Sequence, residues 1–282
     1  MLRALQHVRD QLPSIELRLQ ERWRQKRRDE RERGVAGSGD APDPNAEARW
    51  TEGLFDGAAQ SARAAVERVC TWVAFRAVFW TLRDGVLERL YAHAAPKARL
   101  KEHLVEPLNP LMTEAMDAAD DPDGALRDPL ATAFLRAALA GWERAVLDGG
   151  PERTFVPEDG AIFEQDLSCL RDFFVADGDG LEEPAVEREF ERADQLVALL
   201  SLDTELLCRS FKDSADALGA EAEAARRARA RGTEPPKHGE EAAMVMSDPE
   251  VLIRLLAHRM DRDASKYLKA RFPKIKKTIP KR

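Results

Sequence analysis

The chain has 282 residues, of which 34% are charged, 44% hydrophobic and only 6% aromatic, with a formal net charge of -7. An acidic balance of this kind excludes a nucleic-acid binder as a whole-chain property. Abundant Ala, Leu, Glu and Arg with few alternating β-formers point to an all-α fold, on a chain long enough for one large domain or two. Cys70, Cys169 and Cys208 are widely spaced and form no CxxC. That count and spacing suit neither a disulfide framework nor a zinc site, and Cys70 and Cys169 fall in apolar-periodic segments as buried thiols. The amino terminus lacks a signal peptide's apolar core. The most apolar run, Val69 to Trp80, is broken by Arg76 and falls short of the ~20 residues a bilayer span needs. The expectation is a cytoplasmic chain, peripheral at the plasma membrane or endomembranes if it meets a membrane at all.

Residues 1–33 predict a charged helical or disordered arm, with Leu2, Leu5, Val8 and Leu12 on one face before Pro13. Residues 34–45 are a linker by composition. A main helical bundle is expected over 46–213. Its first long helix, Ala62 to Tyr91, carries Val69, Trp72, Phe75, Phe79, Leu82, Val86 and Leu90 on one side. On another side it carries Val66, Cys70, Val73, Ala77, Trp80, Leu87 and Tyr91. A helix apolar round most of its circumference is expected to be central, with Trp72 and Trp80 as core anchors and a bend at Asp84-Gly85.

Leu100, Leu104, Leu108, Leu111 and Met112 continue a stripe that Pro107 and Pro110 interrupt, which predicts a kink or break near Glu106. Asp120-Asp-Pro-Asp-Gly124 is a turn. Pro129 then opens a cleaner helix with Leu130, Phe134, Ala138, Trp142 and Val146 on one face, closed by Gly149-Gly150-Pro151.

Two periodic segments follow. Phe163, Leu167, Leu170 and Phe174 draw one stripe, and Val186, Phe190, Ala193, Val197 and Leu200 draw the next. Asp177-Gly-Asp-Gly180 joins them as an antiparallel helix pair, with Gly178 and Gly180 as candidates for positive φ. Asp177 and Asp179 also stand at positions 1 and 3 of a calcium-loop count. That loop requires Gly at position 6 and Glu at position 12, where this chain has Glu182 and Arg188, so a plain turn is the reading. Asp203 is placed to cap a short helix with Leu206, Leu207 and Phe211. Residues 214–247 are a charged insertion or linker. Residues 248–282 hold a final helix, capped by Asp248 and opened by Pro249, and a basic tail.

The charge is uneven: Arg262 to Arg282 carries a local +8 against -15 for the remainder. Lys266, Lys269, Arg271, Lys274, Lys276, Lys277, Lys281 and Arg282 are the candidate contact with an anionic membrane or an acidic partner. His7, His93, His103, His238 and His258 show no HExxH or i, i+4 ligand pairing, and read as surface or capping residues. The motifs GxSxG, GxxxxGK[ST] and GxGxxG are all missing, so the residues name no catalytic group, metal or cofactor.

The segments VFWTLRDGVLERLY, PLATAFLRAALAGWERAVLDGGPERTF, FEQDLSCLRDFFVADGDGL and LIRLLAHRMDRDASKYLKARF occur in order from Val78 to Phe272. Together they resemble the carboxyl-terminal part, the second Munc-homology region, of plant and algal Unc-13-like MUN-domain proteins. The resemblance covers 62–211 and 251–272, with GGP-x-x-x-F and FF-x-A-x-GDGL as its most telling signatures. It implies an elongated antiparallel helical bundle like one end of a vesicle-tethering rod. It also implies a non-catalytic role in vesicle docking or priming and exocytosis, through SNARE or tethering-complex proteins. Family members are several times longer, and the SNARE-contacting surface of the animal relatives lies mainly outside the matching part, so no binding residue carries over. The prolines at 107 and 110 and the charged stretch 214–241 depart from the family pattern. The alternative to a trafficking role is a helical scaffold or protein-interaction module with no part in exocytosis.

Overall fold

The computed structural model describes residues 2–33, 55–92, 100–119, 124–150, 153–230 and 248–273. Among these the fold is all-α, with nine α-helices: α1 (Leu2–Glu32), α2 (Asp56–Arg76), α3 (Glu106–Ala119), α4 (Arg127–Leu147), α5 (Gly160–Val175), α6 (Glu183–Leu200), α7 (Thr204–Ala230), α8 (Pro249–His258) and α9 (Arg262–Arg271). The contacts divide the chain into two compact units, one of residues 1–73 and 114–133, the other of 74–113 and 134–282. In the first unit α1 runs through Pro13 without ending. Val8 on its expected apolar face is exposed and Leu12 half-buried.

The expected helix 62–91 forms, but with a different winding. After Arg76 the backbone passes into a π turn, Ala77–Thr81, breaks at Leu82 (φ -95°, ψ 12°), and takes a second π segment, Asp84–Arg89. The buried residues explain why. Ala62, Val66, Cys70, Ala74, Val78, Val86 and Leu90 are buried and Leu82 is half-buried, a row with a spacing of four. Four residues turn an α-helix by about 400°, so such a row would wind off the packed side by about 40° a turn. Turns closed by i→i+5 bonds, here from Leu82 N to Ala77 O and from Leu90 N to Gly85 O, absorb the extra residue.

That row corrects the expectation for two tryptophans. Trp72 and Trp80 each fall two residues off it and point outward, 61% and 79% exposed. Neither is a core anchor. Nor is this helix the most enclosed one. From Leu130 to Leu147, every residue of α4 except Arg136 and Arg144 is buried or half-buried. The expected face of Leu130, Phe134, Ala138, Trp142 and Val146 is buried throughout.

The kink foreseen near Glu106 is instead a third π turn, Lys101–Val105, leading into α3 with Glu106 still helical (φ -61°, ψ -45°). Pro107 has no N–H to give to the His103 carbonyl four residues back. That carbonyl lies 2.8 Å from where a Cβ on residue 85 would stand, so the neighbouring segment passes it at a glycine.

In the second unit α5 and α6 pack as the expected antiparallel pair. Phe163, Leu167, Leu170 and Phe174 are buried against Val186, Phe190, Ala193 and Leu200, with Leu196 more enclosed than Val197. In the turn between them Ala176 (φ 46°), Asp177 (φ 54°) and Gly178 (φ 96°) are left-handed. Gly180 is not. Its glycine is required because a Cβ would come within 2.0 Å of the Phe174 carbonyl oxygen.

Helix α7 continues well past Phe211 to Ala230, through the change of composition at Ser214. The expected single last helix is two. Asp248 caps α8 by accepting from Glu250 N at 2.8 Å, α8 ends at His258, and Asp261 caps α9 by accepting from Ala264 N at 2.6 Å.

Candidate functional site, a buried polar hub

The chain between α4 and α5 passes through Gly149-Gly150 and reaches Arg153 and Phe155, both almost fully buried. A guanidinium is rarely buried without partners, and here carbonyl oxygens at helix ends supply them. Arg153 Nε donates to Leu90 O at 2.6 Å, Nη2 to Leu87 O at 2.7 Å and Nη1 to Gly149 O at 2.5 Å. The first two are carbonyls at the end of the π segment that Tyr91 (φ 57°) terminates, so the cation satisfies orphan acceptors at the negative end of a helix. Gly149 is required because a Cβ there would lie 2.3 Å from the Ala145 carbonyl oxygen and 2.0 Å from Arg153 Cδ, and Gly150 because its φ is 83°.

Arg259 does the same for α6. Its Nη2 donates to Leu200 O and Leu202 O, both at 2.6 Å, while Nε and Nη1 are buried without a partner. Burial pushes both guanidinium pKa values below the ordinary arginine range, with Asp261 opposing the shift at Arg259.

The two arginine segments are stitched together. Phe155 N donates to His258 O at 2.8 Å and Met260 N to Phe155 O at 3.1 Å, making an isolated parallel bridge between Phe155 and Arg259. Between them sits the His258 ring, with Nδ1 2.7 Å from Arg153 O and Nε2 2.9 Å from Leu147 O. Both neighbours are acceptors, so a neutral ring donates to only one of them.

Beside this bridge Trp142 Nε1 donates to Tyr91 OH at 3.1 Å, and Tyr91 OH donates to Asp166 Oδ2 at 2.7 Å. Phe155 and Phe163 meet edge to face at 5.1 Å, and Tyr91 and Phe163 at 4.9 Å. Burial first, then the Asp166 carboxylate, push the Tyr91 phenol well above its ordinary pKa.

Chemically, this arrangement caps and locks. It joins the ends of α4, α6 and α8 and the π segment before Tyr91. The sequence reading missed Arg153, Asp166 and Arg259 and placed Tyr91 only as an apolar face residue. The available signal was the arginine inside GGP-x-x-x-F, four residues past a helix-ending glycine. The expectation for His258 as a capping residue agrees with its bond to the last carbonyl of α4. His7 is exposed and His103 half-buried, while His93 and His238 lie outside the described residues.

Of the basic candidates, Lys266, Lys269 and Arg271 are exposed on α9, and Lys266 Nζ pairs with Asp263 at 3.0 Å. Lys274, Lys276, Lys277, Lys281 and Arg282 lie outside the described residues. Cys70 is buried and Cys169 and Cys208 half-buried, all as free thiols. Among the described residues, no helix is long and apolar enough to cross a membrane.

Packed helices, α5 and α6 among them as an antiparallel pair, with ends locked by buried arginines, define an all-α helical repeat-like protein. The chain belongs to the family described as PATROL1-like, TPR repeats, which matches residues 1–278. It is similar to the protein unc-13 homolog of Arabidopsis thaliana, 30% identical over 218 residues, which cover 77% of this chain and 18% of that protein. The chain thus spans less than a fifth of that relative's length. No solved structure matches it. The Unc-13-like relationship stands, while the family description names TPR repeats and not a MUN domain.

Proposed function

We propose that this chain is a non-catalytic part of a membrane-trafficking factor that acts in vesicle docking or priming before exocytosis, through SNARE or tethering-complex proteins. The observation that carries the reading is the 30% identity to the unc-13 homolog, sustained over 77% of the chain. The segments that resemble the second Munc-homology region of Unc-13-like proteins fall on α4, α5, α8, α9 and the first two π turns, and the hub unites the first three of these helices. The corresponding test immobilises the full chain and offers purified SNARE proteins and tethering-complex subunits. Retention of a member of either class at micromolar concentration is the expected result, and failure of all of them overturns the reading.

A second arm concerns the membrane. Lys266, Lys269, Arg271 and the basic residues beyond Pro273 would hold anionic lipid, at about 1 kcal/mol per residue near a charged surface. Sedimentation with phosphatidylserine liposomes should then fall as salt rises and as residues 273–282 are deleted. Equal sedimentation of the deleted chain would remove the tail from the account. The alternative of a helical interaction module outside exocytosis draws on the family's description as TPR repeats.

A further inference from the structure

Around Arg76 the second unit carries large rings that the described residues cover only in part, with Phe75 exposed and Phe79 half-buried. Phe75 and Phe79 stack with centroids 5.4 Å apart and planes 20° from parallel. Next to them Trp80 is 79% exposed. A rigid apolar ridge ending in a bare indole has the composition of an interface centre, where aromatic and arginine side chains are enriched.

The charges around it follow an order. Arg76 stands four residues before Trp80 and Asp84 four residues after, and both are exposed. Two copies of this stretch laid antiparallel, with a two-fold axis through Trp80, bring each Arg76 to the other's Asp84. The stretch is therefore complementary to itself, as an isologous contact requires. With Asp84 and the Glu88 that pairs with Arg83 at 3.9 Å on the same segment, the face suits an anionic bilayer poorly.

We propose that residues 75–84 form a homodimer contact whose occupant is the same stretch of a second copy of this chain. Arg76 also has a contact inside its own chain. Its guanidinium carries five donors, so an interchain pair adds to that contact without displacing it. An exposed indole and two partly covered phenyl rings a side, from groups that bury roughly 150–250 Å² each when wholly covered, place the contact in the small and transient class. Affinity is therefore expected on the order of tens of micromolar. The dimer does not depend on which trafficking partner the chain meets.

The experiment is sedimentation velocity on the full 282-residue chain from about 1 to about 200 µM, a range that brackets that affinity. The weight-average mass should climb from the 31.6 kDa of one chain towards twice that value. Trp80→Ala should weaken association by at least about tenfold. Arg76→Asp and Asp84→Arg should each weaken it, and the two together should restore most of the loss, because the swapped charges again meet across the axis. Circular dichroism checks that each variant keeps its helicity, and Trp80→Ser replaces Trp80→Ala if that variant does not. A chain that stays monomeric throughout, a dimer indifferent to Trp80, or a double swap no better than the singles overturns the proposal.

Discussion

Two stretches of this chain look alike on paper, the helix from Ala62 to Tyr91 and α4 from Leu130 to Leu147. Each is apolar round most of its circumference, yet α4 is enclosed almost everywhere while the first presents Trp72 and Trp80 to solvent. Side-chain size separates them. Away from its Leu130–Phe134–Trp142 face, α4 carries Ala131, Ala133, Ala137, Ala145 and Gly141, all buried. Small residues let neighbours close in: a Cβ on residue 141 would lie 2.7 Å from Val78 Cγ1 and 3.1 Å from Val86 Cγ1. The first helix instead carries the rings of Trp72, Phe75, Phe79 and Trp80 away from its buried row, and that one narrow row faces inward. Apolar circumference therefore does not measure enclosure; the volume on each side has to be weighed as well.

The largest test of this contrast is Trp142→Ala. Removing a fully buried indole that also donates to Tyr91 should cost about 3–5 kcal/mol, read from denaturant unfolding. A loss under about 1 kcal/mol would break the claim that α4 is the enclosed helix.

Arg153→Leu should come next, at about 3 kcal/mol, because it strands the Leu87 and Leu90 carbonyls in a buried place. Amide exchange should rise selectively over residues 84–91, showing that the first helix depends on this cap at its end. Uniform exchange across the second unit would instead mean that the cap holds the whole fold and not this segment.

Tyr91→Phe is expected to cost about 2 kcal/mol near neutral pH, because it removes two buried hydrogen bonds and takes the acceptor from Trp142 Nε1. The alkaline limb adds a sharper readout. Burial and Asp166 raise the folded-state pKa of Tyr91, so above about pH 10 the unfolded chain releases a proton that the folded chain retains. The associated stability is complete below that pH and is lost as pH rises beyond it. Tyr91→Phe should flatten this limb, and an unchanged slope would place the proton elsewhere.

The smallest effect is Trp80→Ala, within about 0.5 kcal/mol of the parent when measured at low protein concentration, as for exposed positions generally. A loss of several kcal/mol would restore Trp80 to the core and erase the difference between the two helices.

Much of the fold was legible in local pattern. The stripes Phe163–Leu167–Leu170–Phe174 and Leu130–Phe134–Ala138–Trp142–Val146 are true to 3.6 residues per turn, and those helices lie as their spacing indicates. Caps were equally legible, since Asp248 followed by Pro249 places both the acceptor and the fixed φ in consecutive residues. The hub was not. Arg153 and His258 are more than a hundred positions apart, and the glycine pair before Arg153 marks a helix end without marking the contact between the two segments.

What the chain by itself determined is its all-α character, the α5–α6 pair and the boundaries that Gly, Pro and Asp enforce, because backbone propensity and short-range periodicity act within a few residues. Only the tertiary structure decided which side of the first helix is covered, that Gly180 answers to the Phe174 carbonyl, and that the last helix breaks at Arg259 so that Phe155 can pair there. Those outcomes depend on which distant carbonyl or side chain occupies a given volume, and satisfying buried carbonyls across long stretches of chain is a condition no local window contains.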